Sequence, residues 1–447
     1  MPDLLTASHS ESITRHPVTE VRPGRLEKAL IVLLLLLFSQ ALLGRLFASP
    51  DNPEGSPLLR MMWLPVYGFT FVMIGLRWRP IASICMRNPF LVLLSVLALC
   101  SALWSLDPST SFRRGIAAIG TTAFGFYLAA SLGWKDLLRC LGITWLILGI
   151  GNLIAGFLTP GFGVMHEIHV GAWKGLWFEK NAMGGHFART AFLFAFLVIV
   201  DQRFRNLWTV SFFISVGLVL LSTSKTSLLG LLLGLAILGA WQWMKENRFV
   251  ALASLWLIFT LTIGGVLLLF LMPEAVASLI GRDLTLTGRT QIWDVLARVM
   301  EERPVLGFGY GAFWGEDSPP AQLVRAETEW EVPTAHNGLL EVMLALGQLG
   351  VMVFILDYAI NLVRSLLTTH KRKTSVYAFG FFVTFALFSV SESVILIQNS
   401  ILWVTYCAIA GRLSLDGVGQ KAVRARRSTA LSGPRLKPTH AMRGRLS

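Results

Sequence analysis

The sequence has few charged residues and almost no cysteine for its length. Charged side chains make up 15% of 447 residues, and the four cysteines are Cys85, Cys100, Cys140 and Cys407. So little charge does not describe the surface of a soluble protein. The cysteines fall in or beside apolar runs and show no metal-ligand spacing, so they indicate neither a metal centre nor a disulfide framework.

Long apolar runs take the place of the missing charge. Hydrophobic residues make up 54% of the chain, and the mean hydropathy is +0.61. Uninterrupted runs such as residues 30–38 are typical of helices rather than of alternating barrel strands. The sequence therefore predicts an all-α, polytopic membrane protein with about twelve transmembrane helices. The expected spans are 26–47, 58–76, 89–106, 111–133, 137–158, 182–200, 206–222, 226–244, 249–272, 336–363, 375–391 and 397–412.

The basic residues are concentrated in every second connection between these spans. If the N-terminus is cytoplasmic, the inner connections are basic and the outer ones include an acidic loop, which is the positive-inside pattern. The net charge of +13 is then explained by orientation and by attraction to anionic lipid, not by nucleic acid. The inner basic residues are Arg22, Arg25, Lys28, Arg77, Arg79, Arg87, Lys135, Arg139, Arg203, Arg205, Lys245, Arg248, Arg364, Lys371, Arg372 and Lys373.

Three parts are expected along the chain. Residues 1–25 are polar and predict a disordered cytoplasmic tail. Residues 26–412 form the membrane domain, which includes a large outward-facing loop at 273–335 between helices nine and ten. Residues 413–447 form a basic cytoplasmic tail. The first apolar run lies behind the N-terminal tail and is too long for a signal peptide, so it is expected to be an uncleaved anchor.

The long polar interval of the membrane domain runs from Thr287 to Asn337. Apolar residues recur there at three- and four-residue spacing, which predicts an amphipathic helix in the outer interface, capped by Thr287. Arg289 falls in its first turn, where the helix macrodipole disfavours a cation. A ligand would explain Arg289, and so would a solvated helix face. The apolar positions are Ile292, Trp293, Leu296, Val299 and Met300.

Glycines and a histidine follow in the same interval. Gly307, Gly309 and Gly311 resemble a phosphate loop, but no strand precedes them and no P-loop lysine follows, so a tight backbone turn is the expectation. His336 and Asn337 begin helix ten. A neutral imidazole there can take a proton from a sugar hydroxyl and, if partly exposed, needs little adjustment of its pKa. An interfacial or capping histidine is the alternative.

Several cations are expected at the same membrane face. Arg113 and Arg114 follow a turn in which Asp107 can cap the fourth helix; they either snorkel to lipid phosphates or contact an anionic substrate. Arg189 lies about 10 Å into the sixth span, where a guanidinium must face protein or water. It belongs either to a buried ion pair or to a site.

Two further outer segments bear on chemistry. The turn Ser222–Ser227 surrounds Lys225 with hydroxyl groups, which suits a phosphate cradle or simply caps the eighth helix. Glu392, at the outer end of helix eleven, can pair with an outer cation. The spacing of His166, Glu167 and His169 is not the i, i+4 pair of zinc hydrolases, so no metal is expected.

Together these residues place cations, one acid and one titratable base at a single membrane face. Such a set suits a lipid-linked pyrophosphate, because the cations neutralise the charge that develops on the leaving group. The set consists of Arg113, Arg114, Lys180, Arg189, Lys225, Arg289, His336 and Glu392.

The order of motifs resembles the O-antigen ligase and Wzy-type polysaccharide polymerase superfamily. The turn at residues 104–114 and Ser391-Glu392-Ser393 are similar to exopolysaccharide polymerases of the rhizobial succinoglycan type. The motifs are Thr287-Gly288-Arg289-Thr290-x-Ile292-Trp293, Pro304-x-x-Gly307-x-Gly309-x-Gly311-x-Phe313, and His336-Asn337-x-x-Leu340 with Gly347-x-x-Gly350.

The resemblance implies a GT-C-like fold and an inverting glycosyltransferase that uses no metal, nucleotide or other cofactor. It implies an undecaprenyl-pyrophosphate-linked glycan as donor, at the outer face of the bacterial inner membrane. It also implies that Arg289 holds the pyrophosphate and that His336 is catalytic, with Asn337 beside it. Lys225 stands where the family has an arginine, which keeps the charge but loses the bidentate fork. Glu179 stands where a His-Lys-Asn motif begins, and Lys180 and Asn181 match.

The expected function is exopolysaccharide polymerisation. Its expected partners are the lipid-linked oligosaccharide, the bilayer, a flippase, and chain-length-control and export proteins, but no nucleic acid. Ligase-type transfer to lipid A core or to a protein is the nearest alternative. A polysaccharide or lipid transporter is another, although the interrupted helices and internal repeats that would mark one are not evident. A scaffold without catalysis would require the outer cations to be dispensable.

Overall fold

The computed structural model describes residues 23–47, 57–167, 169–244, 289–369 and 372–431. Within these ranges the chain is helical, and the strand-like pairing is limited to an isolated bridge between Val164 and Trp173. Seven helices are long and apolar enough to cross a membrane, or eight if one bent pair forms a single span. The all-α, multi-pass prediction is confirmed, whereas the count of twelve is not. The predicted span 249–272 and the Thr287 cap lie outside the described residues.

Short connections join most of the helices, and two 3-10 turns, Ser101–Leu103 and Gln202–Phe204, interrupt the order. In chain order the helices are α1 (Arg25–Phe38), α2 (Leu43–Phe47), α3 (Pro57–Leu76), α4 (Trp78–Arg87), α5 (Pro89–Cys100), α6 (Pro108–Ser131), α7 (Trp134–Phe157), α8 (Pro160–Gly163), α9 (Lys180–Val200), α10 (Arg205–Leu221), α11 (Lys225–Met244), α12 (Arg289–Met300), α13 (Pro319–Thr328), α14 (Gly338–Leu366), α15 (Lys373–Ser391) and α16 (Ile401–Leu431).

Three predicted spans differ from the structure, and one of them, 397–412, continues as α16 to Leu431, into the predicted C-terminal tail. The span 26–47 is broken after Phe38, because Gln40 and Leu42 adopt φ values of 52° and 64° and bond to distant segments, Gln40 to the carbonyl of Asn399. The predicted span 89–106 is the shorter α5, which meets α4 at a bend of 93°. Pro89 explains this bend, because a proline disfavours helical backbone at the residue before it.

Small residues allow α6 and α16 to pack closely in the core. A Cβ added at Gly125 of α6 would lie 2.4 Å from the Cβ of Cys407 in α16. Helix pairs in membrane proteins commonly use such small residues at their contact, because lipid offers no hydrophobic driving force for association. Trp403 and Tyr406 stack beside this contact with ring centroids 5.0 Å apart.

Several of the basic residues expected at the cytoplasmic side bind acids in the described part of the chain. Orientation and lipid attraction are therefore not their whole role, because the ion pairs also join helices that are distant in sequence. The pairs are Lys28 with Asp136 at 2.7 Å, Arg77 with Glu27 at 2.7 Å, Arg139 with Asp201 at 2.5 Å and Arg372 with Asp416 at 2.7 Å.

A glycine interrupts α14, and the loop carrying the three glycines packs into the break. Gly347 has φ 64° and ψ −164°, so the normal helical ladder stops there. The loop satisfies the freed backbone groups: Phe308 N–H donates to the Leu344 carbonyl at 2.7 Å, and Gln348 N–H donates to the Pro304 carbonyl at 2.8 Å. The tight turns predicted for Gly307, Gly309 and Gly311 are confirmed by φ values of 65°, 101° and 71°. The expectation of uninterrupted helices was wrong at Gly347.

Replacing Gly347 by alanine should lower the stability of the protein. A left-handed φ costs a residue with a Cβ about 1–2 kcal/mol, and the added Cβ would lie 2.2 Å from the Val305 carbonyl oxygen. Gly217→Ala in α10 is the matched control, because nothing lies within 4 Å of a Cβ built there. Thermal unfolding of both variants in detergent measures the effect; equal melting temperatures would show that the break does not need glycine.

Candidate functional site

Helix α12 forms as the apolar spacing predicted, but protein rather than lipid covers its apolar face. Ile292 and Leu296 are fully buried, in a cluster with Phe308, Phe313 and Leu344. Trp293 Nε1 donates to the Ala335 carbonyl at 2.9 Å. The helix is therefore attached directly to the segment that carries His336, and its position in the outer membrane interface stays a prediction.

Arg289 begins α12 and points to the end of α15. Its Nη1 donates to the Ser391 carbonyl at 2.7 Å, and its Nη2 lies 3.6 Å from Glu392 Oε1. The side chain is only 16% exposed, which excludes the solvated face as the reason for this arginine. Glu392 pairs with a cation, as its position in the sequence suggested.

His336 is held between a turn and an aromatic ring. Its backbone has φ 49°, a conformation that a residue with a Cβ adopts only when its surroundings require it. The ring stacks on Trp330 with centroids 5.9 Å apart. The next residue, Asn337, caps α14 by accepting from the N–H groups of Leu339 and Leu340. His336 Nε2 is buried and has no hydrogen-bond partner among the residues described.

The environment of His336 keeps the imidazole neutral. Burial, and then the positive charge of Arg289, lower the pKa of His336 to about 4. The expectation that a partly exposed histidine here would need little adjustment of its pKa was wrong, because the partial burial of the ring is enough to lower this pKa. The segment that carries His336 is bonded to the helix of Arg289 through Trp293 and the Ala335 carbonyl. At neutral pH the ring can accept a proton but is a weaker base than a free histidine.

Glu392 lies among charges of both signs. Burial raises its pKa, while Arg289 and Arg189 act in the opposite direction and Glu179 adds to the rise. Arg189 packs on Phe388, one turn before Glu392 on α15. Arg289 bonds to Ser391, so both arginines contact the same end of this helix. Glu179, whose pKa is also raised by burial, brings a second carboxylate to it.

Arg189 is held by an aromatic ring rather than by a buried ion pair. Its guanidinium carbon lies 4.3 Å from the centroid of the Phe388 ring, and its buried Nη1 has no hydrogen-bond partner in the described part of the chain. Gly185 and Gly230 make room for Phe388, because a Cβ at either would lie 3.2 Å and 2.6 Å from the ring. This contact brings α9, α11 and α15 together.

The turn Ser222–Ser227 lies beside Lys180. Lys180 Nζ donates to Thr223 Oγ1 at 3.3 Å, so the two lysines predicted for the site begin neighbouring helices. Ser224 Oγ accepts from Ser227 N–H and so caps α11, which was the alternative explanation for the hydroxyl groups. The role of Lys225 toward phosphate stays a prediction.

Arg113 and Arg114 line a separate wall. Asp107 caps α6 by accepting from Thr110 N–H at 3.0 Å, as predicted. Arg114 Nη1 donates to the Gly311 carbonyl at 2.7 Å and so holds the glycine loop. Both arginines border a cavity of about 510 Å³, which we call the polar cavity. Arg289 and His336 do not line this cavity, and the convergence of all eight predicted residues at one site stays a prediction.

Glu341 is a site neighbour that the sequence did not reveal. Its carboxylate accepts from Ala335 N–H at 2.6 Å, from Ser393 Oγ at 3.2 Å and from Trp314 Nε1 at 3.1 Å. It thereby ties the segment before His336 to the segment after Glu392. The available signal was an acid in the first turn of α14, which is common at any helix start. No group of three metal-ligating side chains occurs in the described ranges.

Replacing Arg289 by glutamine should raise the pKa of His336. The arginine charge is one of two causes that lower this pKa, and burial, the larger cause, remains, so the new value should lie between about 4 and the usual 6.5. Titration of histidine side chains by ¹⁵N NMR measures the shift. Arg298→Gln is the control, because Arg298 is on the same helix but 64% exposed. An unchanged pKa in the Arg289 variant would contradict the proximity of the two groups.

Two comparisons with known proteins bear on this site. Residues 210–355, which include Lys225, Arg289 and His336, match the O-antigen ligase family. The chain is also 23% identical, over 309 residues, to the exopolysaccharide production protein ExoQ of Rhizobium meliloti strain 1021, covering 65% of this chain and 68% of that protein. These similarities confirm the resemblance to the O-antigen ligase and Wzy-type polymerase superfamily, and within it to a rhizobial protein, that the motifs predicted.

Proposed function

We propose that this protein is an exopolysaccharide polymerase that transfers glycan from a polyprenyl pyrophosphate to a sugar hydroxyl of a second lipid-linked glycan. The observation that carries the proposal is the pairing of a neutral, unbonded imidazole, His336, with a neighbouring guanidinium, Arg289. A base and a fixed cation side by side are the two groups that displacement of a pyrophosphate by a hydroxyl requires. The match to the O-antigen ligase family and the similarity to a rhizobial exopolysaccharide protein support the same chemistry.

The proposed reaction is a single displacement at the anomeric carbon of the donor sugar. His336 accepts the proton of the acceptor hydroxyl, and the hydroxyl oxygen forms a bond to the anomeric carbon of the donor sugar. The bond from that carbon to the pyrophosphate oxygen breaks, and the electron pair leaves with the polyprenyl pyrophosphate. Attack opposite to the leaving group inverts the anomeric centre. This chain's residues provide the base and the positive charge, and the proposal requires no metal.

Arg289 is prepared to exchange one anionic partner for another. Its distance of 3.6 Å from Glu392 is longer than a charge-assisted hydrogen bond, which is about 2.7–2.9 Å. A planar guanidinium can donate two hydrogen bonds at once. The oxygens of a pyrophosphate accept such a pair better than this carboxylate does. Glu392 would then hold Arg289 in place before the donor arrives. Arg189 adds a second cation beside Glu392, and its unbonded Nη1 is a donor for the same ligand.

Donor binding would also strengthen the base. The positive charge of Arg289 lowers the pKa of His336, so an anion that neutralises this charge raises the pKa again. His336 then becomes a better proton acceptor in the complex than in the free protein. The base is therefore activated by the binding of the leaving group.

The location belongs to the same proposal. We place the site at the periplasmic face of a bacterial inner membrane, with both termini in the cytoplasm. The support is the opposition along α15: the basic residue Arg372, just before its start, pairs with Asp416, whereas Arg289 bonds to Ser391 at its other end. Undecaprenyl-pyrophosphate oligosaccharide is the proposed donor, and a flippase with chain-length-control and export proteins are the proposed partners.

Two alternatives each have an observation in their favour. Transfer to lipid A core or to a protein is favoured by the family match itself, which is to an O-antigen ligase; chemical identification of the acceptor separates it from polymerisation. Transport is favoured by the break of α14 at Gly347. The broken backbone, however, bonds to residues 304–309 instead of lining a passage, so the break is explained by packing.

Alanine at His336 or at Arg289 should abolish most of the transfer activity. Loss of a general base typically lowers the rate about 10²–10⁴-fold, and loss of one charge-stabilising donor about 10²–10³-fold. The measurement is polymer length over time, with purified protein in nanodiscs and the native lipid-linked repeat as substrate. Arg298→Ala, on the exposed face of α12, is the control and should elongate normally. Undiminished elongation by both site variants would contradict the proposal.

A further inference from the structure

We infer that the protein has a second lipid-phosphate site, formed by Arg60, Arg113 and Arg114 with an apolar groove between α3 and α6, which binds the lipid-linked acceptor. This inference rests on the proposed function for the identity of its ligand. The site itself is defined by two cavities that share one wall. It lies apart from the donor site, because neither Arg289 nor His336 lines either cavity.

The apolar groove has the shape and surface of a chain-binding site. Its volume is about 420 Å³. Met61 and Leu64 of α3 are 64% and 65% exposed, and Phe112 of α6 is 55% exposed. Exposed apolar residues on a membrane helix face lipid, so a groove lined by them accepts an isoprenoid or acyl chain from the side.

Three arginines line the part of this groove that adjoins the polar cavity. Arg60 is in the first turn of α3, and Arg113 and Arg114 are in the second turn of α6. These arginines, together with Gln40 and Gln398, line both the apolar groove and the polar cavity. An amphiphile with its chain in the groove would thus place an anionic head among three guanidinium groups. Charge complementarity indicates a phosphate or pyrophosphate head.

The polar cavity shares the wall formed by Arg60, Arg113 and Arg114 with the apolar groove. It extends from this wall toward the segment that carries the proposed base. Its volume of about 510 Å³ falls in the range of about 300–1,000 Å³ that small-molecule sites occupy. Thr334 and Ser393 line it too, and they belong to the segments that carry His336 and Glu392. Carboxylates and a tryptophan, including Asp107, Glu316 and Trp314, also line it, and such groups bind sugar hydroxyls and ring faces.

The relative positions of the two cavities and the proposed base assign the acceptor rather than the donor to this site. The donor's pyrophosphate must meet Arg289 directly, because its bond to the sugar breaks there. The acceptor reacts through a hydroxyl at the far end of its glycan, so its own phosphate must lie a glycan's length from His336. A phosphate site on a cavity that Thr334 and Ser393 also line, two residues before His336 and one residue after Glu392, satisfies that requirement.

Photocrosslinking tests the lipid site without requiring catalysis. A photoreactive amino acid at Phe112 of the full-length protein, in nanodiscs, should label with undecaprenyl pyrophosphate, whereas the same group at Leu220, which is 58% exposed on α10, should not. Excess undecaprenyl monophosphate should compete, and excess phosphatidylglycerol should not. Equal competition by phosphatidylglycerol would overturn the inference, because the site would then bind ordinary anionic lipid. His336→Ala should leave the labelling unchanged, so failure of the proposed function is distinguishable from failure of this site.

A kinetic experiment separates acceptor from donor. The donor is a lipid-linked repeat whose accepting hydroxyl is methylated, and the acceptor is a repeat joined to its pyrophosphate by a non-cleavable carbon linkage. Replacing both Arg60 and Arg113 by alanine should raise the KM for the acceptor about tenfold or more, because removal of one charge-assisted hydrogen bond weakens binding by roughly one order of magnitude. The KM for the donor should not change.

The matched control is Arg205→Ala, which removes an exposed arginine at the opposite end of the bundle and should alter neither KM. A rise in the donor KM alone would assign the groove to the donor and overturn the inference. Unchanged values for both substrates in the double variant would also overturn it.

Discussion

The attachment of Arg289 to the end of α15 is the interaction on which the arrangement of the site depends. A single guanidinium donates to the Ser391 carbonyl and faces the Glu392 carboxylate, and its charge adds to burial, the larger cause, in lowering the pKa of His336. An arginine in the first turn of a helix works against the helix macrodipole, so its anionic partners compensate for an unfavourable position. Removal of those partners would leave the mostly buried charge of Arg289 without a counter-charge. A phosphate bound in their place would supply one.

The surrounding backbone makes this attachment rigid. The loop at 304–311 inserts into the broken α14 and bonds on both sides of Gly347, while Trp293 and Glu341 bind the segment before His336 from two directions. His336 and Asn337 can therefore keep a strained turn and a helix cap at adjacent positions. Catalytic groups need such support, because small errors of position reduce the rate strongly.

The sequence predicted the class of fold, the amphipathic helix and the Asp107 cap, because apolar periodicity and caps are local signals. The chemical roles of the proposed site residues stay predictions. The sequence predicted the breaks less well. Gln40 and Leu42 leave the helical conformation because of partners such as Asn399, far along the chain, and no local pattern records such a bond. The same reason explains Glu341, whose importance comes from three donors on separate segments. Sequence order also does not show which side chains share a surface: Arg113 borders the polar cavity, whereas Arg289 contacts the end of α15.

The most direct test is the structure of the complex, determined by electron cryomicroscopy in nanodiscs with undecaprenyl pyrophosphate bound. Our account predicts phosphate density within hydrogen-bond distance, about 3 Å, of the Arg289 guanidinium, with Glu392 displaced and His336 facing the phosphate. A second phosphate density among Arg60, Arg113 and Arg114 is expected as well; an absence of density at Arg289, with the Arg289 and Glu392 pair intact, would contradict the central claim.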